Sequence, residues 1–235
     1  MNLPDAPRAL AVVVGAGGGI GAALLSQLET RAGHDVVLGL GRASQPALDM
    51  LDEASIASAA AHVARLGVPL RLLIDATGFL HGPGMQPEKS WRQLDPAHMA
   101  HAFAINAIGP ALLMKHFLPL LPGEGRSVFA TLSAKVGSIG DNALGGWYSY
   151  RASKAALNQL VRTAAIELRR RQPMAVCVAL HPGTVDTGLS APFAKTGLAL
   201  QTPHDCAARM LDVLHGLDAT HSGGFYNHHG VSLPW

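Results

Sequence analysis

Short apolar runs alternate along the chain with segments whose apolar positions recur at helical spacing. The first pair sets the pattern: an apolar, β-branched run at 10–14 is followed by a helical stripe at 20–28. The pattern predicts strands at 10–14, 34–40, 47–49, 68–74, 127–132, 174–180 and 224–231. It predicts helices at 20–28, 52–65, 98–121, 148–171 and 205–217. Since strand and helix alternate, we expect an α/β fold with a doubly wound parallel sheet of about seven strands and helices on both faces.

Length and charge narrow the class of protein. A chain of 235 residues without a repeat or linker predicts one domain over 1–235. The formal net charge of +2, with no basic run, disfavours nucleic-acid binding. Cys177 and Cys206 lie in apolar segments, where we expect free thiols in a reducing compartment. With no signal-peptide pattern and no long apolar span, we expect a cytoplasmic protein with no membrane partner.

Glycines crowd the junction between the first strand and the first helix. The five are Gly15, Gly17, Gly18, Gly19 and Gly21. They let the backbone turn tightly and let a phosphate approach amide groups with no Cβ in the way. The helix that follows offers unpaired N–H groups and a partial positive charge. The stretch predicts a site for a dinucleotide pyrophosphate, and a purely structural turn is the alternative.

The end of the second strand bears on the choice of cofactor. An acidic residue there would bind the ribose 2′-hydroxyl of NAD, whereas an arginine suits the 2′-phosphate of NADP. Arg42 and Ser44 follow this strand, and no Asp or Glu ends it. We therefore expect NADP, with NAD the less favoured cofactor. The alternative is that Arg42 is a solvent-exposed loop residue.

Tyr150 and Lys154 are four residues apart on a predicted helix and share one face. A phenol with a pKa near 10 is a poor proton donor or base at pH 7 unless a nearby cation stabilises the phenolate. We expect Lys154 to lower the pKa of Tyr150. Asn106 lies in an apolar helical stretch and needs hydrogen-bond partners if buried. It is either part of this site or a structural buried asparagine.

Together the glycine turn and Tyr-x-x-x-Lys resemble the short-chain dehydrogenase/reductase family over essentially the whole chain. The resemblance implies a Rossmann fold, an NADP-dependent exchange of hydride with a carbonyl or alcohol, and a homodimer or homotetramer. The segment around Tyr150 is similar to the C-factor and sniffer-like branch, whose members resemble carbonyl reductases or intercellular signalling proteins. The alternative function is therefore a dinucleotide-binding signalling protein with little turnover.

The family's functional positions carry over residue by residue. The implied catalytic residues are Tyr150, Lys154 and Asn106, with Asn106 positioning a water beside Lys154. The implied cofactor-binding residues are Gly15, Gly17, Gly19, Ile20, Gly21, Arg42, Ser44, Asp49, Met50, Ala76, Thr77, Gly78, Lys154, Pro182, Gly183, Val185 and Thr187. Within this set, Asp49 matches the family aspartate near the adenine, and 182–187 match the segment that cups the nicotinamide.

Three departures from the family pattern stand out. Val14 replaces a threonine, and Asp75-Ala76-Thr77-Gly78 replaces Asn-Asn-Ala-Gly, so the tie between the first turn and the end of the strand at 68–74 must be made differently. Counting back from Gly137, the family's catalytic serine falls on Ala134, one residue after Ser133. We expect Ser133 to act as the donor if the backbone turns there, with Ser138 as the alternative.

The histidines and two loop segments are the remaining prominent features of the sequence. There are 12 histidines, including the pairs His98/His101 and His228/His229, but their spacing completes no metal site. A loop at 81–90, rich in Gly and Pro, is expected to border the active site. The segment 184–201 reads as a loop or lid whose apolar part, 189–200, suggests a hydrophobic carbonyl substrate.

Overall fold

The protein, described by a computed structural model over residues 9–193 and 200–235, is built on one parallel sheet. Its strands are β1 (Leu10–Val14), β2 (Val36–Leu40), β3 (Leu70–Asp75), β4 (Ser127–Leu132), β5 (Ala175–His181) and β6 (Phe225–Asn227). They lie in the order β2-β1-β3-β4-β5-β6. The chain reverses direction across the sheet between β1 and β3, so a crevice opens at the carboxyl ends of these two strands.

Within residues 9–193 and 200–235, six α-helices cover the sheet. They are α1 (Gly19–Thr30), α2 (Glu53–Arg65), α3 (Pro96–Phe103), α4 (Gly109–Phe117), α5 (Tyr148–Arg171) and α6 (Pro203–Gly216). Three starts are fixed by side-chain caps: the Asp52 carboxylate accepts from Ala54 N, the Asp95 carboxylate accepts from His98 N, and the Thr202 hydroxyl accepts from Asp205 N.

Both faces of the sheet are buried. Leu10, Val12 and Val14 pack on one face with residues of α2, α4 and α5, while Ala11 and Val13 pack on the other with residues of α1 and α6. All five residues of β1 are fully buried, which is why this strand reads as a continuous apolar run and not an alternating one. The predicted doubly wound α/β fold is confirmed.

The sheet has six strands, and the expectation of about seven was wrong. The predicted strand at 47–49 is an extended, unpaired segment. A parallel strand needs a crossover of a dozen or more residues to return the chain to the same edge of the sheet. Only residues 41–46 separate β2 from this segment, so the chain instead runs directly into α2.

The long helix predicted at 98–121 is interrupted. A π-helical turn, Ala104–Ile108, separates α3 from α4, and Asn106 lies within it. Such turns inside α-helices are often found at functional sites. The final strand is also shorter than predicted, because β6 pairs with β5 over three residues before the chain turns back.

One helical stretch, Pro96–Leu120, has the length and composition that a membrane span requires. This qualifies the expectation that no long apolar span is present. Leu113, Met114 and Phe117 of this stretch are buried in the core beside the sheet. A helix that packs in a protein core meets the same criteria of length and composition.

The start of α1 lies in close contact with the turn that precedes it. A Cβ built on Gly21 would overlap the carbonyl oxygen of Gly15, whereas a Cβ on Gly17 would meet nothing within 4 Å. Gly15 itself has a φ of +82°, a conformation that favours glycine. Gly15 and Gly21 are therefore needed by the fold, and Gly17 leaves open space.

We predict that Gly21→Ala lowers the free energy of unfolding by at least about 2 kcal/mol, because its methyl group has no room and the backbone must move. Gly17→Ala is the matched control and should change it by less than about 0.5 kcal/mol. Urea denaturation followed by circular dichroism measures both. Equal stabilities for the two variants would show that the close contact is not required.

Candidate active site

The glycine turn lies at the carboxyl end of β1 and leads into α1. Gly15 N donates to Leu40 O at 2.8 Å, which ties the turn to β2. Gly18 is the N-cap of α1, and no side chain caps the helix. The first N–H groups of α1 and the open space at Gly17 thus form a cradle suited to an anion.

A buried carboxylate, Asp75, ties the end of β3 to the neighbouring strand β4. Asp75 Oδ1 accepts from both the amide and the hydroxyl of Thr77, at 3.0 and 2.6 Å. Asp75 Oδ2 accepts from the Thr131 hydroxyl at 2.7 Å. The backbone completes the join through Ala76 N, which donates to Val14 O at 2.9 Å. The end of β1 is therefore joined to the end of β3 by this backbone hydrogen bond, and the Asp75 carboxylate joins the end of β3 to β4.

Asn106 holds the segment that follows β3. Its Oδ1 accepts from Phe79 N, and its Nδ2 donates to Phe79 O, both at 2.7 Å. Nδ2 also donates to the Ser153 hydroxyl of α5 at 3.1 Å. The side chain is 1% exposed, so each of these bonds satisfies a buried polar group. The amide of Asn106 therefore connects the π-helical turn, the end of β3 and α5.

Lys154 lies one helical turn after Tyr150, on the same face of α5, and its side chain is buried. Nζ donates to Leu132 O at the end of β4, at 2.7 Å. A Cβ built on Gly78 would lie 3.7 Å from Lys154 Nζ and 3.8 Å from Asn106 Oδ1, so all three meet at one point. Burial lowers the pKa of Lys154 to about 8, against the opposing effect of Asp75.

The structure reverses the expected pKa of Tyr150. Burial raises the pKa of this phenol to about 12 in the protein alone. We expected Lys154 to lower this pKa, but the shift has the opposite direction and its cause is the loss of hydration around the phenolate. Tyr150 is therefore protonated at neutral pH.

The turn after β2 carries the residues predicted to select the cofactor. Arg42 is exposed there. The Ser44 hydroxyl, in contrast, is used within the turn: it accepts from Gly41 N at 3.0 Å and donates to Pro46 O at 2.6 Å. Ser44 thus shapes the turn, whereas the Arg42 side chain lies in solvent.

Asp49 and Met50 lie where the chain leaves this turn. Asp49 Oδ1 accepts from Leu51 N at 2.9 Å. Met50 is buried against α4, where a Cβ on Gly109 would come within 2.8 Å of its Cε. Met50 therefore anchors the turn to the helix and does not face an open site.

The segment after β5 closes one side of the cradle. Thr187 lies over the start of α1, since a Cβ on Gly19 would come within 2.9 Å of the Thr187 Cγ2. Gly183 has a φ of +79°. Val185 is buried and forms a bridge with Gln201, whose Nε2 donates to Pro182 O at 2.6 Å. The predicted lid continues from here, but 194–199 lie outside the described residues.

An aromatic wall that sequence reasoning missed stands beside Tyr150. The Trp147 ring lies 6.2 Å from that of Tyr150 and 5.2 Å from that of Phe193, in edge-to-face arrangements. His81 packs against Phe193 at 5.4 Å. The loop at 81–90 was expected to border the site, but nothing in the local sequence pattern pairs it with Phe193.

The comparisons with known proteins agree with this geometry. A family model described as enoyl-(acyl carrier protein) reductase matches residues 16–208. The 1-hydroxy-2-glutathionyl-2-methyl-3-butene dehydrogenase of Rhodococcus sp. (strain AD45) is 32% identical over 234 residues, which cover 95% of this chain and 98% of that protein. The chain belongs to the short-chain dehydrogenase/reductase family.

Two further similarities bear on the branch of the family to which the chain belongs. The C-signal protein of Myxococcus xanthus is 40% identical over 142 residues, covering 60% of this chain and 81% of that protein. The structure of NADPH-bound carbonyl reductase from chicken fatty liver has a TM-score of 0.85 at 29% identity, covering 97% and 94% of the two chains. The resemblance to the C-factor and sniffer-like branch is confirmed, and the protein is an oxidoreductase of the short-chain class.

This short-chain dehydrogenase/reductase differs from its family at the serine position. Backbone N of Ser133 continues the strand by donating to Leu180 O, and Ala134 keeps an extended conformation. The Ser133 hydroxyl is buried and donates to Asn158 Oδ1 of α5 at 2.6 Å. Its proton is thus used within the fold, which favours a structural role over the predicted catalytic one.

Ser138 and the paired histidines are the other residues that the sequence analysis singled out. The Ser138 hydroxyl is 1% exposed and accepts from Asp141 N at 3.1 Å. His98 lies 3.7 Å from the Glu88 carboxylate, and the rings of His228 and His229 are 4.1 Å apart. Within 9–193 and 200–235, no group of three His, Cys, Asp or Glu side chains is placed to hold a metal.

We predict that Ser133→Ala lowers the free energy of unfolding by about 1–3 kcal/mol, because Asn158 loses a buried partner. Oxidoreductase turnover per folded molecule should stay within about threefold of wild type. Ser138→Ala is the matched variant. Urea titrations and steady-state kinetics on both variants provide the measurements, and a loss of kcat on the order of 100-fold in Ser133→Ala would restore it as the oxyanion donor.

Proposed function

We propose that the protein is an NADPH-dependent reductase of carbonyl compounds. The observation that carries this proposal is the meeting of Lys154 Nζ, the Asn106 amide and Gly78, one helical turn from the half-buried side chain of Tyr150. This arrangement supplies a proton donor and a cation in a dry pocket at the carboxyl edge of the sheet. The similarity to an NADPH-bound carbonyl reductase supports the same cofactor and reaction class.

The residues at this edge fit a dinucleotide. The cradle at Gly17 is open, and the uncapped start of α1 would hold the pyrophosphate. Arg42 would pair with the 2′-phosphate, and the segment 182–187 would close over the nicotinamide end. Ile20, Ala76 and Thr77 would line the same cleft. NADPH, when bound, supplies the hydride.

Side chains of the protein then supply the proton that the substrate oxygen needs. Tyr150, protonated at neutral pH, donates to the substrate oxygen as negative charge develops there. Lys154 stabilises the resulting phenolate and binds ribose hydroxyls. Asn106 fixes Phe79 and Ser153 around this point and, as the family resemblance implies, positions a water between Lys154 and solvent.

The remaining expectations form part of the proposal. The substrate is a small carbonyl compound or alcohol that contacts the apolar lid and the wall of Trp147 and Phe193. The protein acts in the cytoplasm as a homodimer or homotetramer. A groove of about 620 Å³ between α4 and α5, lined in part by Met114, Leu118 and Leu160, is where we place the contact between copies.

A second candidate is a dinucleotide-binding signalling protein with little turnover. The observation favouring it is Ala134 at the family's serine position, in a chain 40% identical to C-signal over 142 residues. The two candidates separate in one assay: NADPH binding measured by fluorescence, followed by a carbonyl panel monitored at 340 nm. Binding without any NADPH oxidation would favour the signalling protein.

We predict that Tyr150→Phe lowers kcat by at least about 100-fold while NADPH binding is retained, because the ring stays and only the proton donor is lost. Tyr148→Phe, on another face of the same helix, is the matched control and should keep wild-type kcat. Steady-state kinetics and fluorescence titration provide both readouts. A Tyr150→Phe variant that kept more than about a tenth of kcat would exclude this phenol as the essential acid.

We predict that Arg42→Ala weakens NADPH binding by roughly 10–150-fold, the effect of losing a charged hydrogen bond worth about 1.5–3 kcal/mol. Its affinity for NADH should change little, since NADH has no 2′-phosphate. Arg65→Ala, an exposed arginine on α2, is the control. Dissociation constants for both cofactors decide the question, and wild-type protein that bound NADH as tightly as NADPH would overturn the preference.

A further inference from the structure

Glu88 is a buried carboxylate outside the residues discussed so far as catalytic. It lies in the loop between β3 and α3, and 2% of its surface is exposed. Its Oε2 accepts from Ser149 N at 3.1 Å, and its Oε1 accepts from the Ser149 hydroxyl. His98 Nδ1 lies 3.7 Å from Oε1. Glu88 thus satisfies N–H and O–H donors in the first turn of α5, the helix that carries Tyr150.

The residue before that helix has an unfavourable backbone conformation. Among residues 9–193 and 200–235, Trp147 is the one non-glycine residue with a positive φ, at 52°. Gly145 and Gly146 precede it with φ values of 64° and 68°. Glycine adopts this left-handed region readily, whereas a tryptophan there is strained and persists only where its surroundings enforce it.

Glu88 makes several of the contacts that hold Trp147 in this conformation. Its carbonyl oxygen accepts from Trp147 N at 2.5 Å, while its carboxylate holds Ser149 two residues further on. Arg151 secures the other side, with Nε donating to Gly146 O at 3.0 Å and its amide donating to Trp147 O at 2.8 Å. One loop residue therefore grips the chain on both sides of Tyr148.

The strained conformation has a consequence at the reacting centre. It places the Trp147 indole against the ring of Tyr150, with centroids 6.2 Å apart and planes at 70°. The same indole contacts Phe193 at the start of the lid. If residues 147–149 relaxed, the indole would move away from Tyr150 and Phe193. The first turn of α5, which carries Tyr150, would also lose the hydrogen bonds to Glu88.

We propose that Glu88 is a positioning residue for the reductase reaction: by clamping 147–149 it holds Trp147 in its left-handed conformation and fixes Tyr150 against the substrate pocket. This rests on the proposed function for its kinetic part. The physical part, that Glu88 determines the conformation of Trp147, stands independently of any activity.

The central experiment compares Glu88→Ala with Glu88→Gln. Alanine removes the carboxylate that holds Ser149 and leaves the backbone carbonyl bond to Trp147 N. With one side of the clamp lost, kcat should fall roughly 10- to 100-fold, as expected for a misplaced reacting group, with the NADPH dissociation constant unchanged. Glutamine can still accept from Ser149 N and bond its hydroxyl, so it should recover most of the lost kcat. Asp52→Asn, at the carboxylate cap of α2, is the matched control and should keep wild-type kcat.

A spectroscopic readout tests the clamp without turnover. With Trp91→Phe and Trp235→Phe in the background, Trp147 is the remaining tryptophan of the three in the chain. Glu88→Ala should increase the quenching of its fluorescence by acrylamide, and Glu88→Gln should not. If wild-type protein reduced no carbonyl compound, the proposed function would fail, while this comparison would still decide whether Glu88 holds Trp147.

A double-mutant cycle separates positioning from general support of the fold. Trp147→Gly accepts the positive φ without strain, so adding Glu88→Ala should lower kcat by less than about threefold. Losses that multiply across the two sites would overturn the proposal, as would unchanged kcat and quenching in Glu88→Ala. If Glu88→Ala does not fold, Ser149→Ala removes the hydroxyl contact alone and should shift both readouts in the same direction by a smaller amount.

Discussion

The burial of β1 on both faces is the constraint on which the structure depends. A parallel strand with all five residues inaccessible to water needs a layer of helices on each side, and α1 with α6 and α2 with α4 and α5 provide them. To reach both layers, the chain must leave β1 in one direction and return beside it from the other. The resulting crevice collects the carboxyl ends of β1, β3 and β4, and the candidate site is built there.

Polar groups at this edge satisfy one another because water is excluded. The Asp75 carboxylate takes three hydrogen bonds from Thr77 and Thr131, and the Asn106 amide takes both backbone groups of Phe79. Lys154 completes the set through Leu132 O. Burial shifts the pKa of Asp75 upward and that of Lys154 downward, so both groups are poised closer to neutral than in water. A rigid, dry edge of this kind suits proton transfer at a fixed point.

The departures from the family pattern are compensated within the same network. Val14 has no hydroxyl to offer, and its backbone carbonyl accepts from Ala76 N at the end of β3. The two oxygens of Asp75 hold that end of β3 through Thr77 and Thr131. Ala134 removes a hydroxyl from the serine position, while Ser133 uses its own to hold Asn158 of α5. Hydroxyl groups near these positions are thus used in hydrogen bonds that hold the fold.

The sequence by itself determined the local elements and the family. The bounds of β4 and α5 match the prediction, because long apolar periodicity and strand-length runs are local properties. Gly15 and Gly21 could also be identified, since a strand followed directly by a glycine-rich turn and a helix has few other uses.

Tertiary structure decided the rest. The segment 47–49 was predicted as a strand, but too few residues separate it from β2 for a crossover. The pKa of Tyr150 depends on how completely α5 is buried, which no local pattern records. The grip of Glu88 on Ser149 joins residues 61 positions apart, and contacts over such separations exist only once the sheet has brought its loops together.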